Sequence, residues 1–312
     1  MSKGIEALKK LKIGILAGGA SSEREISLRS GKEVFNAFKQ AGLDAILCDV
    51  NEVNLASSIE QTKIDVAFIA LHGSFGEDGT VQHMLSQMKI PYTGSGPEAS
   101  RAAFDKLESK RIFFREGIPS PEYKVARSFE EVLSLGMEIP FVVKPRLEGS
   151  SMGLSVVFEE TEIEQAIEEA LKYGMDMIVE RFVPGREITV GILKGRALPI
   201  VEIVPSGGTY DFDSKYLSDK TRYLVPAEFK KDIYEKAQKY GVKAHDALGC
   251  KGFSRVDMIV EDDKNIHVLE VNTIPGLTHR SLLPMAARQE GLDFYELCVK
   301  MLLAAFDDTA EG

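Results

Sequence analysis

Apolar runs bounded by glycine alternate with amphipathic stretches along residues 12–95. Residues 12–17 (KIGILA) read as a buried strand ending at Gly18-Gly19. The loop from Ala20 to Glu25 then opens a helix whose inward stripe is Val34, Phe38 and Ala41, running to about Gln40. DAILCDV (44–50) and DVAFIAL (65–71) repeat the strand pattern, VQHMLSQM (81–88) is helical, and IPYTGS (90–95) predicts a fourth strand. Strands alternating with helices predict a parallel, doubly wound sheet. Such sheets bind ligands beyond the carboxyl ends of their strands. The glycine-rich loops 18–25 and 72–79 both fall there, and neither carries GxGxxG, so a dinucleotide fingerprint is absent. Glu23 and His72 in these loops are candidates for holding a small substrate, with turn or cap roles as the competing account.

The pattern changes after residue 100. DKLESKRIFFREG (105–117) predicts a helix stopped by Gly117 and Pro119. Ser128 to Glu131 reads as a capping box, and Thr161 to Glu164 caps a further helix through about Tyr173. PFVVKP (140–145) is a strand carrying Lys144, and LSVVF (154–158) returns after the loop Arg146 to Gly153. A strand, a Gly/Ser loop and a strand suit a flap whose backbone N–H groups cover phosphates, although a plain hairpin has the same pattern. Lys144 adds a compact positive charge for phosphate oxygens. MIVERFV (177–183) ends at Pro184-Gly185 with Glu180 and Glu187 on either side. That edge suits an adenine and a ribose, and equally two surface acids flanking a turn. EITVGIL (187–193) and LPIVEIV (198–204) are strands, followed by a long polar stretch at 206–227. A loop of that length is a lid or is disordered, and Tyr210, Tyr216 and Tyr223 argue against simple disorder. A helix spans about 227–248, and two more close the chain after Pro284.

Between them lies the stretch that carries the most chemistry, Arg255 to Gly276. RVDMIV, EDDKN and IHVLEVNTIPG read as an antiparallel hairpin around a polar turn. Alternation puts Arg255, Asp257 and Ile259 on one side of the first strand. It puts Ile266, Val268, Glu270 and Asn272 on one side of the second. A turn through Asp262, Asp263, Lys264 and Asn265 then sets Asp257 opposite Glu270 and Arg255 opposite Asn272. Facing carboxylates repel unless a positive charge lies between them. A hard divalent ion fits, and Mg²⁺ usually brings nucleotide phosphates with it. An edge hairpin with a solvated acidic face is the alternative.

Composition narrows the class. The 312 residues imply two or three domains, and 44% hydrophobic content is that of a globular protein. A net charge of −10 argues against a general nucleic-acid or membrane partner. Cys48, Cys250 and Cys298 are scattered, without CxxC spacing, as in a reducing cytosol. No run reaches membrane-spanning length, so a soluble cytoplasmic protein is expected.

Taken in order, AGGASSEREISL, LHGSFGEDG, YTGS, the Asp105-Lys106 pair, VVKP, EGSSMG, IVERFV, KYLSD, RVD and LEVNTIPGLT form one constellation. It resembles the ATP-grasp superfamily and, within it, the D-alanine–D-alanine ligase family, over about residues 12–305. The resemblance implies an α/β (in part α+β) three-domain ATP-grasp fold. Its parts are an N-terminal doubly wound substrate domain (1–100), a central lid domain (101–184) and a C-terminal domain with the metal site and long lid loop (185–312). It implies ATP and two Mg²⁺ ions, with Mn²⁺ able to substitute, and an acyl-phosphate made from the first D-alanine and attacked by the second. Asp257, Glu270 and Asn272 match the metal ligands. Lys106, Lys144, Ser150, Ser151 and Met152 match phosphate contacts, and Lys215 lies in the nucleotide pocket. Glu180 and Val183 match adenine contacts, Phe182 an aromatic hinge position, and Glu187 the ribose contact. Glu23 matches the holder of the first substrate's ammonium, with His72 beside its carboxylate. Arg255 and the Gly276 N–H match oxyanion stabilisers, and Ser281 and Leu282 match the second substrate's carboxylate pocket. Ser150 and Tyr216 match a hydrogen-bonded pair joining the central loop, the lid and Glu23. Leu277, His279 and Phe182 are mild departures. D-alanyl-D-serine, D-alanyl-D-lactate or another ATP-grasp carboxylate–amine ligation are the sister activities, and Tyr216 favours dipeptide over depsipeptide. A homodimer is implied by the resemblance alone.

Overall fold

The computed structural model describes residues 2–205 and 221–307. Strands β1 (Ile13–Gly18), β2 (Ala45–Val50) and β3 (Val66–Ile69) form a parallel sheet in the order β2-β1-β3. Helices α1 (Ser2–Leu8), α2 (Arg24–Gln40), α3 (Leu55–Thr62), α4 (Thr80–Gln87) and α5 (Pro97–Phe104) accompany it. The parallel sheet and the buried Val34–Phe38 stripe follow the apolar pattern. The fourth strand expected at 90–95 is a single bridge between Ala67 and Tyr92. Beyond it the Ile69 N–H bonds to the Thr93 side chain at 2.9 Å, so a hydroxyl takes the place of the next ladder acceptor.

A second, antiparallel sheet has the order β4-β7-β5-β6, from Tyr123–Ala126, Met177–Arg181, Phe141–Pro145 and Ser155–Val157. Its Phe141, Val143, Met177 and Val179 pack under α8 (Ile163–Leu171), and α7 (Phe129–Ser134) contributes Val132 to the same core. Opposite residues across a ladder share a face, so Val142 with Glu180 and Lys144 with Ile178 point the other way. There α6 (Lys106–Arg115) lies against them, started by Asp105, whose side chain accepts from the Leu107 and Glu108 N–H groups. Both expected caps differ in detail. Ser128 does accept from the Glu131 N–H, but the Glu131 carboxylate takes the Arg127 N–H, so the box is not reciprocal. Before α8 the reciprocal pair is Glu159 and Glu162, across a 3₁₀ turn, and Thr161 lies inside it.

The third sheet runs β11-β10-β8-β12-β13, with β9 (Arg196–Ala197) beside β8. Its strands are Arg222–Leu224, Val201–Val204, Arg186–Leu193, Phe253–Glu261 and Asn265–Asn272. One face (Ile188, Val190, Ile192, Val256, Met258, Val260) packs on α9 (Lys231–Ala247). Part of the other packs on α10 (Leu282–Gln289) and α11 (Phe294–Ala304), in one core with Ile15, Phe38 and Phe68 of the first sheet. The polar stretch expected at 206–227 therefore ends in a strand, β11. Its section 206–220 lies outside the described residues. Among those described, no helix is long and apolar enough to cross a membrane.

The β12–β13 register sets Arg255 against Asn272 and Asp257 against Glu270, as the pattern predicts. The route to it differs. Glu261 pairs with Asn265, so the turn is one residue tighter than Asp262–Asn265, and a bulge between Asp257 and Met258 restores the register. The bulge resolves a conflict in the sequence. Strict alternation would put Ile266 and Val268 on the face of Glu270. With Leu269 as the extra residue, Ile266 and Val268 join Val271 in the core under α9, while Glu270 and Asn272 face Asp257 and Arg255.

Gly79 closes the 72–79 loop against the start of α5. Its φ is +90°, and a Cβ there would lie 2.4 Å from the Pro97 carbonyl oxygen. Gly79→Ala is expected to cost more than about 1 kcal/mol, read as a lower denaturant midpoint. An unchanged midpoint contradicts this close approach.

Candidate active site

A cavity of about 500 Å³ opens where the three sheets meet. Glu23, immediately before α2, is buried in its wall, and the Ser150 hydroxyl donates to its Oε1 from the 146–153 loop. Ser150 and Ser151 hold φ of 50° and 59°, a left-handed conformation that serines adopt at a cost. The Glu23 bond and the Met152 N–H to Gly149 O bond (3.0 Å) hold that turn. Glycine is needed around the carboxylate: a Cβ on Gly73 would come within 2.8 Å of Glu23 Oε2, and one on Gly149 within 3.0 Å.

His72 is buried, with Nδ1 3.1 Å from Ile274 O and Nε2 3.1 Å from Ser30 Oγ. Burial pushes its pKa down, so the ring is neutral at pH 7, and Nδ1 donates because a carbonyl can only accept. Ser30 Oγ also accepts from the Leu277 N–H at 3.3 Å. His72 thus ties the turn after β13 to both the 72–79 loop and α2. Glu77 accepts from the Gly73 N–H at 2.8 Å. Burial first, and the Glu23 charge second, push its carboxyl up to about 8.

On the third sheet Asp257 is enclosed. Arg255 donates to both its oxygens (Nε to Oδ1 2.8 Å, an Nη to Oδ2 2.7 Å). Thr189 Oγ1 donates to Oδ1 at 2.6 Å and Asn272 Nδ2 to Oδ2 at 3.0 Å. Glu270, across the ladder, has no hydrogen-bond or ion-pair partner among the described residues. Behind it a narrow crevice holds Glu77, Lys106, Glu148 and Asn272. Burial lowers the Lys106 pKa and the Glu270 charge raises it in opposition; its ammonium donates to Glu148 O.

The family model for the D-ala D-ala ligase C-terminus matches residues 112–303, and that for the N-terminus matches 51–95. The chain belongs to the D-alanine–D-alanine ligase family. It is 44% identical to the D-alanine–D-alanine ligase of Syntrophotalea carbinolica over 96% of this chain and 98% of that one. It is 45% identical to that of Citrifermentans bemidjiense over the same shares. The solved D-alanine–D-alanine ligase from Bacillus anthracis complexed with ATP matches with a TM-score of 0.83 at 33% identity, covering 97% of this chain and 99% of that one. VanG D-Ala:D-Ser ligase from Enterococcus faecalis matches with a TM-score of 0.80 at 28% identity, over 95% and 99%. These likenesses and the mixed parallel and antiparallel sheets give the chain the ATP-grasp fold.

Of the residues that the ligase resemblance singles out, the cavity gathers Glu23, His72, Ser150, Arg255, Glu270, Asn272, Gly276, Ser281 and Leu282. Ser281 Oγ accepts from the Thr278 N–H at 3.0 Å, and Leu282 is buried at the start of α10. Lys144 and Glu180 lie on the α6-facing side of the second sheet, with Phe182 and buried Val183 in the turn beyond it and Glu187 on β8. Phe182 meets Phe158 edge-on, ring centroids 5.6 Å apart. Ser151 and Met152 follow Ser150 in the loop but are not in the cavity wall. Lys215 and Tyr216 lie outside the described residues. Sequence reading assigned no role to Glu77 or Lys110. The carboxylate in HGSFGEDG and the four-residue spacing of Lys106 and Lys110 on one helix were the signals for them.

Glu77 predicts a pH effect. Its native pKa of about 8 lies above its ordinary 4.5. The native state therefore binds the extra proton between those values, and stability from this group falls as pH rises through them. Glu77→Gln removes that loss. The ligand-free variant should gain melting temperature over the parent at pH 8 and gain little at pH 5. An equal difference at both values would contradict the raised pKa.

Proposed function

We propose that the protein joins two D-alanines to D-alanyl-D-alanine with ATP, giving ADP and phosphate, for peptidoglycan precursor synthesis. The observation that carries this is the shared wall: the Glu23–Ser150 pocket opens onto the Arg255, Glu270 and Asn272 face of the third sheet. An amino acid held by its ammonium at Glu23 has its carboxylate beside the surface suited to a γ-phosphate. That carboxylate oxygen attacks γ-phosphorus and ADP leaves. The neutral amine of the second D-alanine then attacks the acyl carbonyl, and phosphate departs from the tetrahedral carbon as the nitrogen loses its proton.

Each residue has a task in this reading. Ser150 and neutral His72 orient Glu23 and the carboxylate beside it. Arg255 and the Gly276 N–H stabilise the oxyanion, which is charge that develops only as the bond forms. Ser281 and Leu282 receive the second carboxylate. Lys106, Lys144, Ser151 and Met152 meet the phosphates, and Glu180, Val183, Phe182 and Glu187 the nucleoside. Lys215 and Tyr216 join through the resemblance.

Among the described residues no three His, Cys, Asp or Glu side chains form a ready metal cage. Asp257, Glu270 and Asn272 nevertheless fit Mg²⁺, which takes few protein carboxylates and completes its shell with phosphates and water. All three offer oxygen, and Glu270, opposite Asp257, has no hydrogen-bond or ion-pair partner among the described residues. Two Mg²⁺ held there, or Mn²⁺ in their place, would neutralise the transferring phosphoryl group. The same reading includes domains at 1–100, 101–184 and 185–312, a homodimer and a cytoplasmic location. Its second form, D-alanine–D-serine ligation, is favoured by the likeness to the VanG enzyme.

Phosphate release with ATP and D-alanine, set against L-alanine, D-serine and D-lactate, tests it. Release with D-alanine alone and recovery of the dipeptide are expected, and no release with any D-substrate overturns it. Glu270→Gln should lose about 100-fold or more in kcat while staying folded, with a melting temperature no lower than the parent's. Parental turnover at ordinary Mg²⁺ would remove Glu270 from the metal set.

A further inference from the structure

Lys110 lies on α6, one turn after Lys106, and is 1% exposed. A buried ammonium needs partners for its protons, and Lys110 has several. Its Nζ is 2.8 Å from Glu180 Oε1, 2.8 Å from Ser120 Oγ and 5.4 Å from the centre of the Tyr123 ring. Lys144 Nζ is 2.9 Å from the same Glu180 oxygen, and Glu180 is its one charged or hydrogen-bonding partner among the described residues. Two ammonium groups therefore share one carboxylate, and the buried trio carries one positive charge in excess.

The two lysines are not equivalent. Lys110 is held from three elements besides its own helix: the Ser120 turn, β4 through Tyr123 and β7 through Glu180. Lys144 sits on β5 facing the same side as Glu180, with one anion and donors to spare. If Lys144 were the sole partner of Glu180, leaving for a phosphate would strand a buried carboxylate, a costly state. With Lys110 in place the carboxylate stays paired. Burial raises the Glu180 pKa, and Lys110 and Lys144 together outweigh it, so Glu180 keeps its charge.

We propose that Lys110 is a positioning residue for nucleotide binding: it holds Glu180 permanently, and so frees Lys144 to exchange Glu180 for a nucleotide phosphate. This rests on the nucleotide assignment above, so the test uses ADP with Mg²⁺ and begins with the parent protein. No ADP binding by the parent would overturn the assignment itself. Given parental binding, Lys110→Met should raise the Kd for ADP about tenfold. In turnover it should raise KM for ATP similarly, with kcat at saturating ATP and KM for D-alanine within about twofold. A general packing defect would lower kcat and affect both substrates. Lys110→Arg, which keeps the charge, should recover most of the affinity. Unchanged ADP affinity in Lys110→Met overturns the inference while leaving the ligase reading intact.

A second measurement needs no folded variant. In parent protein labelled with ¹⁵N-lysine, ADP and Mg²⁺ should shift the Lys144 ammonium signal far more than that of Lys110, which shares its Glu180 oxygen. An equal shift of both, or a shift of Lys110 alone, overturns the division of roles.

Discussion

Asp257 and Glu270 face each other across one step of an antiparallel ladder, and such a pair persists only if positive charge and donors balance it. The fold supplies them to Asp257 in full. Arg255, two residues away on the same face, grips both oxygens; Thr189 arrives from β8 on one side and Asn272 from β13 on the other. Each donor depends on strand register, and the register depends on the apolar face under α9 staying apolar. A one-residue slip of β13 would bury Glu270 and expose Val271. The hydrophobic core thus fixes the electrostatics of the site. Among the described residues Glu270 is left without a hydrogen-bond or ion-pair partner, and that asymmetry is what the proposed Mg²⁺ site rests on.

The cavity is joined to this hairpin by neutral bonds. His72 donates to Ile274 O, and Ser30 accepts from Leu277, so the turn after β13 is fastened to the first sheet without using a charge. Burial keeps the ring neutral. Substrates that bring charge into the cavity then change the balance around Glu23, Arg255 and Glu270 and leave the frame alone. The flap is fastened differently. Arg146, at its base, bridges Asp105 at 2.6 Å and Asp176 at 2.8 Å, and its Ser150 tip reaches Glu23. A bond at the tip alone would let the loop swing. The Arg146 bridges restrict where it can go, because a planar guanidinium binding two carboxylates fixes direction as well as distance.

Period-two and helical patterns revealed the parallel sheet, the four-stranded flap sheet in part, and the hairpin with its facing acids. They failed where a side chain replaced backbone bonding. Thr93 ends the fourth strand with its hydroxyl, and Glu159, in place of Thr161, caps the 3₁₀ turn that leads into α8. Short elements such as α3 and β4 gave too few periods to stand out. The hairpin was right in register through two offsetting departures, a tighter turn and a bulge at Leu269. The hydrophobic residues record the bulge: Ile266, Val268 and Val271 cannot share a face in a regular strand. Among site residues, chemistry-bearing loops were visible because glycine and acid cluster there. Glu77 was overlooked because its role comes from burial, which a loop sequence does not reveal. Lys110 was overlooked because its partners, Ser120, Tyr123 and Glu180, are brought together only by the fold.

A chain of net charge −10 that takes a nucleotide polyphosphate must attract it locally. Salt screens exposed charges beyond about 8 Å, so the acidic exterior acts weakly on a ligand inside the cleft. Buried charges are screened far less, and α6 and β5 carry three buried ammonium groups, Lys106, Lys110 and Lys144, of which Lys106 lines the crevice behind Glu270. The use of lysine here and arginine elsewhere follows from their shapes. Arg146 and Arg255 bind carboxylates with a rigid fork, at places where direction must be held. An ammonium is compact and on a flexible stem, so it can leave one anion for another without rebuilding a planar fit. Lys144 needs that freedom if Glu180 is its partner before nucleotide arrives, and it has that freedom only because a second lysine stays behind. The excess positive charge in the Lys110–Glu180–Lys144 trio is therefore no imperfection of packing. On the proposed exchange, it is the charge that a phosphate cancels.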